Sequence, residues 1–102
     1  SNSMEPDQAF LEYAVKALVD HPEAAETTRT IDQMGVLLTL TVHPEDMGKV
    51  VGKLGKTAEA LRVLLRIVGM KGNARVNLKI NEPVGGKREI EHKTVDQVVE
   101  EL

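Results

Sequence analysis

A six-residue stretch in the middle of the chain, GKLGKT from Gly52 to Thr57, combines residue types that suit phosphate groups. Glycine has no Cβ, so its backbone can approach an anion closely, and the ammonium group of lysine supplies positive charge. The stretch therefore predicts contact with phosphate, which belongs either to a bound nucleotide or to the backbone of a nucleic-acid strand.

A nucleotide-binding loop of the GxxxxGK[ST] type agrees with the chain only at its last three positions, Gly55 to Thr57. That pattern needs a further glycine five residues before Gly55, where the chain has Val50. It also needs a preceding strand, whereas these residues have helical spacing. The sequence therefore disfavours a nucleotide site, and it predicts neither a cofactor nor a small-molecule substrate.

The other interpretation is a nucleic-acid clamp, in which Gly52 and Gly55 form a GxxG loop between two helices. Backbone N–H groups at the start of the second helix, together with the lysines, would attract phosphates, and flanking apolar side chains would face bases. A tight helix–helix turn with solvated lysines is the alternative, and spacing alone does not separate the two. The residues predicted to contact nucleic acid are Val51, Gly52, Lys53, Leu54, Gly55 and Lys56.

The distribution of charge favours the clamp. The formal net charge of -3 argues against a generally basic nucleic-acid binder. Residues 47–82, however, carry eight basic and two acidic side chains, whereas the rest of the chain carries five basic and fourteen acidic ones. The positive charge is therefore concentrated around the glycine loop.

Hydrophobic periodicity predicts the elements that must position this loop. An amphipathic helix over residues 8–20 is followed by strands over 27–32 and 36–42, joined by a turn at Gly35. A short helix that starts at Pro44 leads into the loop, and a longer helix over 58–68, capped by Gly69, leads to a strand over 75–80. The order predicts an α+β fold with a three-stranded sheet packed on helices.

The same patterns predict which side chains form the core. They are Val36, Leu38, Leu40 and Val42 on the second strand, Leu61, Leu64, Leu65 and Val68 on the long helix, and Val76, Leu78 and Ile80 on the last strand. The short helix is predicted from the helical spacing of its apolar stripe, which consists of Met47, Val50, Val51 and Leu54. The long helix also has a second apolar stripe, formed by Ala60, Val63, Ile67 and Met70. Either the first helix or a partner must cover it, and we favour a partner in a homodimer or heterodimer.

The length of 102 residues predicts one domain. Ser1, Asn2 and Ser3 precede a methionine and are typical of residues left by an expression tag, so the domain is expected to span residues 4–82. Residues 83–102 form a charged tail in which 94–102 have a helical pattern. No apolar run is long enough to span a membrane and no signal peptide is apparent, so a cytoplasmic location is expected.

The segment VVGKLGKTAEALR resembles the signature of KH RNA-binding domains, a V-[IV]-G-x-x-G core that opens a second helix. The element order resembles the type II KH topology. The segments FLEYAVKALVDHPE and VHPEDMGKVVGKLGKTAEALR are similar to the small stand-alone bacterial KH proteins of the KhpA type. Two positions depart from the general pattern, because Leu54 stands where a polar residue is more usual and Ala58 is smaller than usual.

The resemblance implies non-catalytic binding of a short single-stranded RNA by Gly52 to Gly55, with Lys53 as the main cationic contact. Val51, Leu54 and the strand RVNLKI would border a groove for bases. It further implies pairing with itself or with a second, larger KH protein, and a link to control of cell envelope growth and division. The alternative is a KH-fold module that serves mainly for dimerisation or docking.

Other candidate chemistry is weaker. His21, His43 and His92 have no spacing typical of a metal site, and each is expected to be an ordinary loop histidine, so no metal is predicted. No serine, histidine and acid combination suggests a nucleophile, so no enzyme activity is predicted. The two aromatic residues both lie in the first helix, which disfavours an aromatic stacking platform for bases.

Overall fold

The computed structural model describes residues 4–82. Its helices and strands are α1 (Pro6–Leu18), β1 (Glu26–Asp32), β2 (Gly35–Thr41), α2 (Met47–Val51), α3 (Lys56–Lys71) and β3 (Val76–Ile80), with single 3-10 turns at Pro22–Ala24, Pro44–Asp46 and Lys53–Gly55. The predicted order is confirmed. The predictions for residues 1–3 and for the tail, including its helix over 94–102, lie outside the described residues.

The sheet has the strand order β1-β2-β3, with an antiparallel pair β1–β2 and a parallel pair β2–β3. A two-residue turn joins β1 to β2, and the Asp32 side chain accepts a hydrogen bond from the Met34 N–H across it. Gly35 has a φ of 116°, and a Cβ there would collide with the Arg75 carbonyl oxygen. Since β2 and β3 are parallel, α2 and α3 form the crossover between them, which places the glycine loop beside β3.

The core lies between one face of the sheet and the helices. The predicted alternation of β2 is confirmed, because Val36, Leu38, Leu40 and Val42 are all buried. The other buried apolar side chains are Leu11, Val15 and Val19 at α1, Ala25 before β1, Met47 and Val50 on α2, Ala58, Leu61 and Leu65 on α3, and Val76 and Leu78 on β3. Ile80 is only partly buried and packs at the margin of this core.

Several predictions for the helices are wrong. Leu64 is 45% exposed, and the buried stripe of α3 continues instead to Gly69. Gly69 does not end the helix, which runs to Lys71 and is followed by Gly72. Gly69 is required for packing, because a Cβ there would lie 2.5 Å from the Ala74 carbonyl oxygen. Leu54 does not continue the apolar stripe of α2, since it lies in the loop beyond the helix.

The first helix begins and ends two residues earlier than predicted. Its last backbone hydrogen bond runs from the Val19 N–H to the Val15 carbonyl. The next two N–H groups, of Asp20 and His21, donate to the Asp46 carboxylate and so leave the helical pattern. The longest helix among residues 4–82 has 16 residues, and none of these helices has the length and hydropathy of a membrane span.

Candidate nucleic-acid interface

The glycine loop is a sharp turn between α2 and α3 that depends on Gly52. Its φ of 80° favours glycine, and a Cβ at this position would collide with the Thr57 hydroxyl and lie 2.7 Å from the Thr57 backbone nitrogen. The Gly52 N–H donates to the Gly48 carbonyl at 2.9 Å, and the Gly55 N–H donates back to the Gly52 carbonyl at 3.1 Å. The turn is therefore closed by its own backbone and by the first turn of α3.

The two residues at the tip of the loop have left-handed backbone angles. Leu54 has φ 57° and Gly55 has φ 74°. The Leu54 side chain is 85% exposed, so no core packing compensates the cost of this conformation, which is about 1–2 kcal/mol for a residue with a Cβ. A Cβ at Gly55 would have no neighbour within 4 Å. The loop thus presents an open stretch of backbone beside an exposed apolar side chain.

Positive charge surrounds this open backbone. Lys53 and Lys56 are both exposed. Among residues 4–82, the ion pairs involve Lys16, Lys49, Arg29 and His21 and do not engage either loop lysine. The N-terminus of the 16-residue helix α3 lies at the same place, where backbone N–H groups and the helix dipole favour anions. The loop therefore has the electrostatic character of a phosphate site.

A groove next to the loop is apolar at its base and polar at its rim. It has a volume of about 190 Å³ and is lined by Met47 and Val51 of α2, Gly55, Ala58 and Arg62 along the loop and α3, and Ile80 and Glu82 at the end of β3. Such a groove suits a flat base with polar edges. Its position between the glycine loop and β3 would let one strand place phosphates on the loop and a base in the groove.

The groove differs in composition from the sequence-based expectation. Val51 lines it as expected, but Leu54 points away from it into solvent, and only the last residue of the RVNLKI strand, Ile80, reaches it. Arg62 also lines the groove and is not among the predicted contact residues. One of its guanidinium nitrogens donates to the Leu78 carbonyl at 3.3 Å, which holds the side chain against β3, the edge strand of the sheet formed by residues 4–82.

A family model described as KhpA/KhpB, KH domain, matches residues 8–80. The chain belongs to this family of KH domains. Its type II KH fold class, predicted from the order of elements, is thereby confirmed. Ala58, the position at which the sequence departs from the general pattern by its small size, is one of the residues that line the groove of this KH domain.

Curated relatives match this KH domain over nearly their whole length. The RNA-binding protein KhpA of Oceanobacillus iheyensis is 41% identical over 73 residues, which cover 72% of this chain and 97% of the relative. The protein of the same name from Clostridium acetobutylicum is 40% identical over 71 residues, covering 70% and 95%. That of Chlamydia caviae is 40% identical over 73 residues, covering 72% and 94%. No match to a solved structure was found.

The second apolar stripe of α3 is not covered by α1. Ala60 is exposed, and the exposed fractions of Val63, Ile67 and Met70 are 39%, 56% and 69%. Leu64, which was expected in the core, adds to this face. Within residues 4–82, the first of the two ways to cover the stripe, packing of α1 on it, is therefore not found.

A polar corner at the other end of α2 was not visible in the sequence. Asp46 is fully buried, and its carboxylate accepts hydrogen bonds from the backbone N–H groups of Asp20 at 3.1 Å and His21 at 2.9 Å. Burial is the largest influence on the pKa of Asp46 and raises it, but these two hydrogen bonds and the charges of His21 and Lys49 outweigh it, so the pKa lies below its ordinary value. The corner ties the end of α1 to the start of α2.

Two of the three histidines that the sequence predicts as ordinary loop residues meet at this corner. The rings of His21 and His43 are stacked, with centroids 4.1 Å apart and an angle of 21° between their planes. The two residues lie 22 positions apart, so no local spacing rule could have paired them. His92 lies outside the described residues.

Proposed function

We propose that this KH domain binds a short stretch of single-stranded RNA, with phosphates on the Gly52–Gly55 loop and a base in the adjacent groove. The observation that carries the proposal is the continuity of these two features. Gly55 belongs to both, since it is an open backbone position of the loop and a lining residue of the groove. The relatives named as RNA-binding proteins support RNA as the ligand.

In this proposal the roles of the six predicted residues differ. Gly52 shapes the turn, Gly55 lets the strand approach, and Lys53 and Lys56 attract phosphates. Val51 faces the base in the groove. Leu54 lies outside the groove and is proposed to contact a neighbouring base or sugar from the loop, because its side chain is held in solvent at the cost of a left-handed backbone. No catalytic step is involved, and a cytoplasmic location is proposed.

The double variant Lys53→Asp, Leu54→Asp tests the loop. We expect it to abolish binding of a fluorescent single-stranded RNA in anisotropy titrations, because it reverses the charge at the phosphates and removes the apolar contact. The control is Lys71→Glu, which reverses the charge of one lysine at the other end of α3, about 24 Å away along the helix. Unchanged circular dichroism shows that both variants are folded. RNA binding that survives the double variant excludes the loop.

The dependence on salt measures the number of phosphate contacts. Two or three contacts on a single strand give a slope of about -2 in a plot of log K against log salt concentration. We therefore expect roughly a tenfold loss of affinity between about 50 and 200 mM salt. The same titration with single-stranded DNA of equal sequence tests whether the 2′-hydroxyl contributes.

We further propose that the exposed apolar face of α3 is covered by a second KH domain. A homodimer, or a heterodimer with a larger KH protein, would bury the stripe of Ala60, Val63, Ile67 and Met70. Sedimentation velocity on Val63→Glu and Ile67→Glu should show a monomer. The control Ile31→Glu, at the exposed end of β1, should keep the wild-type mass. A wild-type chain that is monomeric at high concentration excludes the homodimer.

The exposed face also supports a second candidate function, a KH-fold module that acts mainly through protein contacts. The two functions make different predictions for the loop variant. If RNA binding is the function, Lys53→Asp, Leu54→Asp loses activity in cells while dimerisation persists. If docking is the function, only the α3 variants lose it. The family resemblance suggests cell shape, through envelope growth and division, as the phenotype to score.

A further inference from the structure

Two histidines and a glutamate lie together on the surface at the start of α2, away from the glycine loop. Each of His21, His43 and Glu45 offers one ligand atom, and these three atoms lie within 4.8 Å of one another. We propose that they bind a divalent transition-metal ion, with Zn²⁺ as the best match. The proposal does not depend on RNA binding, because the five residues of α2 separate this cluster from the glycine loop.

The donor atoms decide which metals fit. Two imidazole nitrogens and one carboxylate oxygen form a ligand set typical of Zn²⁺ and of neighbouring transition metals, with water at the remaining positions. Ca²⁺ and Mg²⁺ prefer oxygen ligands only. The chain has no cysteine, so thiolate zinc sites are excluded, and the imidazoles are the softest ligands in this cluster.

The backbone on both sides of the cluster is already fixed. The buried Asp46 carboxylate holds the His21 N–H at 2.9 Å, and Asp46 directly follows Glu45 in the chain. His43 is held by Pro44, which starts a 3-10 turn in which the Asp46 N–H donates to the His43 carbonyl at 2.8 Å. The backbone that carries His21 and the backbone that carries His43 and Glu45 are therefore held at a fixed distance from each other. Metal binding then needs to order the torsions of the three side chains and not the backbone.

His21 needs little change to become a ligand. Its Nε2 lies 3.2 Å from Glu45 Oε1, and its Nδ1 lies 3.7 Å from Glu23 Oε2. A proton on Nδ1 would face the Glu23 carboxylate and leave the Nε2 lone pair beside the Glu45 carboxylate. This arrangement of carboxylate, imidazole and metal is common around bound zinc, and it makes the imidazole a stronger ligand.

His43 must give up one contact. Its Nδ1 accepts a hydrogen bond from the Glu45 N–H at 3.0 Å, so its ring has to turn or exchange its proton before it can bind a metal. Ligand atoms about 2.1 Å from a tetrahedral ion lie about 3.4 Å apart, which is closer than the present spread of up to 4.8 Å. Binding therefore closes the cluster and unstacks the rings, and we expect an affinity well below that of a structural zinc finger.

The test is a titration of ZnCl₂ into the untagged, metal-free full chain by isothermal calorimetry, with Co²⁺ absorption as a second readout of ligand geometry. We expect saturable binding of one ion per chain. His21→Gln and His43→Gln should each weaken the affinity by about tenfold or more, since a ligand matters at least as much as its supporting groups. His92→Gln is the matched control and should leave the affinity unchanged. RNA binding should be unaffected in all three variants.

Two results overturn the proposal. One is the absence of saturable zinc binding to the wild-type chain, and the other is zinc binding that survives both His21→Gln and His43→Gln. If either variant fails to fold, the wild-type chain still decides the question. Addition of Co²⁺ should then shift or broaden the ring resonances of His21 and His43 in NMR spectra and leave those of His92 unchanged, and equal effects on all three would contradict the site.

Discussion

Helix α2 has a buried polar group at its start and exposed polar groups at its end. At its start, Asp46 is fully buried, and its carboxylate accepts hydrogen bonds from the backbone N–H groups of Asp20 and His21. At its end, Lys53 and Leu54 are exposed, and Leu54 has a left-handed backbone that nothing in the core compensates. The first corner determines the path of the chain from α1 to α2, whereas the second leaves its polar groups available for a ligand.

The start of α2 therefore contributes mainly to stability and its end mainly to binding, although only five residues of helix separate them. A buried carboxylate with satisfied hydrogen bonds is costly to disturb, because the donors it leaves behind lose their partners. An exposed loop with a strained residue and uncompensated lysines contributes little to stability, and the strain is typical of functional sites. Substitutions at the two ends should therefore affect different measurements.

The largest effect on stability is expected for Asp46→Asn. An amide can accept only one of the two N–H groups and would direct its own donor at the other, so the end of α1 should lose its attachment. Urea unfolding should show a marked fall in the free energy of unfolding. The control Asp20→Asn alters an exposed side chain that pairs with Lys49 and keeps the backbone N–H, and it should change little.

The same variant should change the response to acid. The pKa of Asp46 is lower in the folded chain than its ordinary value, so its carboxylate stabilises the fold at neutral pH. That contribution is lost as the pH falls below about 4, toward the folded pKa. The difference in unfolding free energy between wild type and Asp46→Asn should therefore shrink in this range. A difference that stays constant would show that the charge of Asp46 does not matter.

A smaller effect on stability, but a large one on binding, is expected for Gly52→Ala. The new Cβ would collide with the Thr57 hydroxyl at a φ of 80°, and the strain should cost about 1–3 kcal/mol. RNA affinity should also fall, because the loop has to change its shape to relieve this collision. Gly48→Ala is the matched control: nothing lies within 4 Å of a Cβ there, and it should stabilise α2 by about 0.5–1 kcal/mol. Equal effects of the two would contradict the geometry of the loop.

The smallest effect is expected for Leu54→Asn. Asparagine tolerates left-handed angles better than leucine, so the free energy of unfolding should rise by up to about 1 kcal/mol. Asn73, in the turn before β3, has a similar positive φ of 59°, and Asn73→Leu should show the reverse change. RNA affinity that falls while stability rises would support a binding role for Leu54. Unchanged affinity would remove Leu54 from the proposed interface.

Much of the fold could be predicted because the deciding signals are local. The alternation of Val36, Leu38 and Leu40 follows from the period of a strand with one buried face, and Pro44 is typical of a first helical position. Leu64 was misplaced because the apolar residues of α3 cover more than one face. Periodicity identifies apolar positions, but only the packing of α1 and β3 decides which of them are buried.

The order of elements, the GxxG loop and the concentration of positive charge around it can all be read from the sequence, because glycine, lysine and hydrophobic period act over a few neighbouring residues. The exposure of Leu54 to solvent and the contact of Arg62 with β3 depend instead on how the helices pack on the sheet. The tertiary structure also brought His21 to His43, since contacts between residues 22 positions apart depend on how a buried Asp46 holds two loops together.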